Sequence, residues 1–76
     1  MNKDRRKNLQ AVIDAITEAN ETLETLKEEE EEYRDNMPEN LQDSERYEKA
    51  DAACDSLDEA ISNLEEAIGD IETAIE

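Results

Sequence analysis

A chain of 76 residues makes at most one small domain, in a size range where a single core supplies only roughly 3–5 kcal/mol, so a staple or a partner is expected. One Cys excludes an intrachain disulfide, and the absence of His removes the usual zinc ligand sets and the Glu-x-x-His di-iron pattern. With 24 acidic residues against 8 basic, a net charge of −16, the chain should repel nucleic acid and anionic membrane and be attracted to basic grooves.

No apolar run approaches the roughly 18 residues of a membrane span. The basic start, Lys3, Arg5, Arg6 and Lys7, is not followed by the apolar stretch of a signal peptide. The expectation is a cytoplasmic protein without a membrane partner. High charge with 3% aromatic residues also fits disorder, but disorder does not explain the strict apolar spacing described next.

Helix 1 is predicted over about residues 4–35. Leu9, Val12, Ile16, Ala19, Leu23, Leu26, Glu30, Tyr33 and Met37 recur at alternating spacings of three and four, which places them on one narrow stripe facing another helix. Ile13 sits beside this seam and widens it. Glu30 breaks the apolar rule inside the run Glu28–Glu32, where carboxylates one turn apart weaken the helix by about 0.2–0.5 kcal/mol per pair.

A loop is predicted over about residues 36–43. Pro38 biases Met37 away from the helical region, and Asn and Asp cluster on both sides. Asp43 or Ser44 is the predicted N-cap of the next helix, with Glu45 in its first turn. Met37 and Leu41 are the apolar loop residues expected to fold back over the Tyr33/Tyr47 end.

The segment from Glu32 to Ala50, Glu-Tyr-Arg-Asp-Asn-Met-Pro-Glu-Asn-Leu-Gln-Asp-Ser-Glu-Arg-Tyr-Glu-Lys-Ala, with the acidic, alanine-rich helix after it, resembles a group of small uncharacterised helical proteins. These are encoded by Gram-positive bacteria and by their phages and mobile elements. The resemblance implies a hairpin fold and a genomic setting, and no activity. Small acidic phage and element proteins include inhibitors of host defence nucleases, some acting as DNA mimics, and that is an analogy of setting rather than of chemistry.

Helix 2 is predicted over about residues 44–76. Its seam is Tyr47, Ala50, Cys54, Leu57, Ile61, Leu64, Ile68, Ile71 and Ile75, and Ala53, Ala60, Ala67 and Ala74 recur every seven residues beside it. Folding the two helices antiparallel pairs Leu9 with Ile71, Val12 with Ile68, Ile16 with Leu64, Ala19 with Ile61, Leu23 with Leu57, Leu26 with Cys54, Glu30 with Ala50 and Tyr33 with Tyr47. A register slipped by one heptad competes with this one. The fold class expected is therefore all-α, an antiparallel two-helix coiled-coil hairpin in a single domain, 1–76. Because one hairpin has one interface, Ile13 and the row Ala53, Ala60, Ala67 and Ala74 are assigned to a homodimer that forms a four-helix bundle.

No constellation supports a catalytic, cofactor or metal site. Cys54 lies in the seam with no cation predicted beside it, so a core role is expected. The loop from Asp35 has Met at its third position and lacks the sixth-position Gly of a calcium loop. Two-carboxylate catalysis needs a pocket that so thin a bundle does not offer.

What remains is the acidic face: Asp51, Asp55, Asp58, Glu59, Glu65, Glu66, Asp70 and Glu72, with no basic residue between Ala50 and Glu76. At 1.5 Å per residue the stretch from Asp51 spans roughly 37 Å, about one turn of duplex DNA. The expectation is a non-enzymatic interaction module whose acidic stripe meets a basic protein surface, as a DNA-mimic inhibitor of anti-CRISPR or anti-restriction type would meet a nuclease groove. The alternative is a structural or assembly coiled coil that binds a partner helix, its acidic face serving only solubility.

Overall fold

The computed structural model describes residues 1–41 and 44–76. Two helices, α1 (Lys3–Asp35) and α2 (Glu45–Ile75), run antiparallel, with a short 3-10 turn, Glu39–Leu41, between them. The fold is an all-α two-helix hairpin. It is a rod of 59 × 15 × 12 Å with a radius of gyration of 17.4 Å. A compact domain of this length has a radius of gyration of about 11 Å.

The helix ends follow from local chemistry. The Asn2 side-chain oxygen accepts from the Arg5 amide at 2.7 Å, so one of the orphan donors of the first turn is satisfied despite the unfavourable basic charge there. At the far end Asn36 N–H still reaches Glu32 O at 2.9 Å, and Met37 N–H tightens onto Arg34 O at 3.3 Å. Pro38, which has no N–H, then stops the helix. The Ser44 hydroxyl oxygen accepts from Tyr47 N–H at 3.3 Å and caps α2, while the same hydroxyl donates to Leu41 O. Asp43, the other predicted cap, lies outside the described residues. Of the two loop residues expected to fold back, Met37 is buried at 8% exposure, whereas Leu41 stays 40% exposed.

On α2 the covered stripe is the predicted one: every residue from Tyr47, Ala50 and Cys54 through Ile71 and Ile75 at the 3-4 spacing is buried or half-buried. On α1 it is not. The covered residues are Leu9, Ile13, Ile16, Asn20, Leu23, Lys27, Glu30, Arg34 and Met37, with Glu31 half-buried beside them. Ala19 is exposed, and Val12, Leu26 and Tyr33 are 45, 48 and 49% exposed. Relative to the predicted seam, α1 is turned about its axis by roughly 50°, half the angle between neighbouring residues. Ile13, expected beside the seam, is in it.

The reason lies in the pairing. Lys27 Nζ meets Asp58 Oδ1 at 3.0 Å and Arg34 Nη1 meets Asp51 Oδ1 at 2.9 Å, so a seven-residue step up α1 matches a seven-residue step down α2. Alternate steps of four and three from these contacts bring Leu9 level with Ile75, Ile13 with Ile71, Ile16 with Ile68, Leu23 with Ile61, Glu30 with Cys54 and Met37 with Tyr47. This alignment uses the whole seam of α2. The predicted pairing of Leu9 with Ile71 would leave Ile75 and Met37 without partners and both carboxylates without their cations. Its layers through Val12, Ala19, Leu26 and Tyr33 do not close.

The turn of α1 has a cost. Asn20 enters the seam, donating from Nδ2 to Ile61 O at 3.4 Å, and its side-chain oxygen has no partner. The best-covered side chain, Ala50, retains 3% exposure, so among the described residues the hairpin encloses no fully dry core.

Candidate interaction surfaces

The turn of α1 sorts the rod into two unlike flanks on either side of the seam. On one flank Lys27 and Arg34 of α1 face Asp51 and Asp58 of α2. The same flank carries a shallow groove lined by Thr17, Asn20, Glu21, Glu24, Glu65 and Ile68. This flank is acidic. The hydrogen bond to Asp58 holds the Lys27 ammonium above its ordinary range. The Arg34 guanidinium is likewise held up, by Asp35 first, at 3.0 Å, and then by Asp51.

The predicted acidic stripe therefore divides. Asp51 is half-buried and, like Asp58, is bound within the chain by a cation of α1. Asp55, Glu59, Glu65, Glu66, Asp70 and Glu72 are exposed and, among the described residues, in no ion pair. Asp51 and Asp58 keep 51 and 68% side-chain exposure, but each is neutralised by a cation of the same chain.

The other flank carries the apolar row that α1 leaves uncovered, Val12, Ala19, Leu26 and Tyr33, alongside the α2 row Arg46, Ala53, Ala60 and Ala67. That these rows share a flank is shown by a shallow groove lined by Glu30, Tyr33, Glu45, Arg46, Lys49 and Ala50. Ala53, Ala60 and Ala67 are half-buried, partly covered by α1, and Ala74 is exposed. Ile13, grouped with these alanines from the sequence, is 5% exposed inside the hairpin and has no surface to offer a second chain.

The outer edges of this flank are Ala15 and Thr22 on α1 and Ser56 and Asn63 on α2. From Val12 to Leu26 and from Ala53 to Ala67 the face therefore bears no charge, in a chain that is 42% charged. Sequence reasoning missed this face because it placed the α1 apolar row in the seam.

Cys54 is buried at the level of Glu30, and burial pushes its thiol up, against the opposing pull of Arg34. A thiol held protonated is a poor nucleophile. Among the described residues no group of three or more His, Cys, Asp or Glu side chains is arranged to hold a metal ion. Among the described residues no helix is long and apolar enough to cross a membrane. Compared with protein-family models, with curated proteins and with solved structures, the chain matches none.

Proposed function

We propose that the chain is a non-enzymatic protein-interaction module of the bacterial cytoplasm, a homodimeric four-helix bundle whose acidic outer surface engages a basic protein surface. The nucleic-acid groove of a host nuclease is the partner class that fits, engaged as a DNA mimic engages it, with no nucleic acid bound by the chain itself. The observation that carries this reading is the set Asp55, Glu59, Glu65, Glu66, Asp70 and Glu72 of α2, exposed and, among the described residues, in no ion pair. Such a surface raises encounter rates with a cationic groove and loses its reach as salt shortens the Debye length, roughly 8 Å at physiological ionic strength.

A second reading, an assembly coiled coil whose acidic surface serves only solubility, draws support from the charge-free flank. The two separate on one comparison. Asp55, Glu59, Glu66 and Asp70 are changed to Asn or Gln, sparing Asp51 and Asp58, and capture of nucleic-acid-binding proteins from a bacterial lysate is measured at rising salt. Capture that falls with salt and vanishes in the variant is the expected result. Capture of none, or capture indifferent to both changes, removes the mimic and leaves the assembly reading.

A further inference from the structure

Among the described residues the charge-free flank is the one long surface on which two copies do not set carboxylates against carboxylates. We infer that it is the homodimer face: Val12, Ala19, Leu26 and Tyr33 of α1 with Ala53, Ala60 and Ala67 of α2 receive the same face of a second copy. This deepens the homodimer of the proposed function and does not depend on its basic partner.

Three observations select a second copy as the occupant. The first is area. The chain exposes 5726 Å², whereas a compact monomer of 8.7 kDa exposes about 4,700 Å². The excess of about 1,000 Å² is close to the roughly 800 Å² that each partner contributes to a standard interface.

The second is charge. A chain of net charge −16 repels its own copy wherever acidic surface meets acidic surface. Here the middle of the face is uncharged, and the residues framing its ends carry both signs: Arg5, Arg46 and Lys49 against Glu29, Glu30, Glu45 and Asp70. A two-fold axis along the rod, which seats α1 of one copy over α2 of the other, sets Lys49 toward Glu29 of the other copy. That arrangement closes the interface with opposite charges. A basic foreign helix would gain nothing on this face and would be drawn to the acidic flank instead.

The third is shape. One side of the face is a row with three large side chains, Val12, Leu26 and Tyr33, and the other is a row of alanines. Large side chains seated over small ones let two helix pairs approach closely, and the same surface is presented by both partners, as an isologous interface requires.

The test uses two neighbours on one helical turn. Leu26 lies on the face and Thr25 on the outside of α1, both are exposed in the hairpin, and a Glu at either adds the same charge beside the same acidic run. Mass by sedimentation equilibrium and helix content by circular dichroism are measured at micromolar concentration for the full chain, Leu26→Glu and Thr25→Glu. The full chain and Thr25→Glu are expected at the mass of two chains. Leu26→Glu is expected to fall to half that mass, or to lose its helix where Thr25→Glu keeps both. A full chain at the mass of one, with full helicity, overturns the homodimer and the face together. Leu26→Glu retaining the two-chain mass, or equal losses in the two variants, overturns the face alone.

Discussion

Ile61→Ala should abolish most of the helical circular dichroism signal at 25 °C, while Ser62→Ala, the next residue along, leaves it unchanged. Ile61 is among the best-covered side chains of the rod at 5% exposure and is level with Leu23; Ser62 is exposed. Truncating a buried Ile to Ala costs about 2–5 kcal/mol, because the lost contacts leave a cavity that helix packing only partly closes. A domain this small has roughly 3–5 kcal/mol in total, so the loss consumes most of the margin. An exposed Ser→Ala change falls within about 0.5 kcal/mol. Equal melting curves for the two variants would mean that the α2 seam is not where the structure places it.

The second large effect has the opposite sign. Asn20→Leu should stabilise the hairpin, because the wild-type amide is buried in the seam with a long hydrogen bond to Ile61 O and an orphaned side-chain oxygen. An unsatisfied buried polar group costs about 1–3 kcal/mol. Recovering it, with added apolar contact against the α2 seam, should raise Tm by roughly 5–15 °C for a domain of this size. The gain should come with reduced specificity, since a single polar seam residue fixes register in coiled coils by penalising every alignment that leaves it unpaired. Thermal melts followed at 222 nm supply the number. An unchanged Tm is what an outward-facing Asn20 would give, and it would return Ala19 to the seam.

That alternative shows how far the sequence was legible. On α2 both rows of the seam are apolar or small, and the row beyond Asp51 and Asp58 is acidic, so only one stripe can be buried and periodicity finds it. On α1 two ladders share Leu9, Ile16, Leu23, Glu30 and Met37 and differ in the row between. Hydrophobicity favours Val12, Ala19, Leu26 and Tyr33; the structure buries Ile13 and Asn20 and half-buries Lys27 and Arg34. The choice is made by the partner helix, through Asp51 and Asp58 and the full use of Ile68, Ile71 and Ile75. A single-helix pattern contains none of that information. A signal did exist: Lys27 and Arg34 are seven apart, as are Asp51 and Asp58, and matching two charge rows across the hairpin selects the observed ladder.

The candidate surfaces inherit the same distinction. The outer carboxylates of α2 were legible because they face away from the seam whatever α1 does. The withdrawal of Asp51 and Asp58 into ion pairs, the burial of Ile13 and the emergence of a charge-free flank all follow from the turn of α1, and none could be read before it.

The orientation of α1 is thus the claim on which the charge-free flank and the pairing of Asp51 and Asp58 stand, and the native thiol tests it directly. In the structure Glu30 is level with Cys54, whereas the apolar ladder pairs Cys54 with Leu26, one turn away and 48% exposed. A disulfide needs Cα atoms within about 7 Å, so the position level with Cys54 should close and the one a turn away should not. Glu30→Cys and Leu26→Cys are each oxidised at submicromolar concentration, and the fraction of one-chain product with an intrachain disulfide is read by gel shift and mass. Rapid closure in Glu30→Cys, with Leu26→Cys left reduced or linked only between chains, is the predicted result. Intrachain closure in Leu26→Cys, with Glu30→Cys left open, would contradict it and put the apolar row back in the seam.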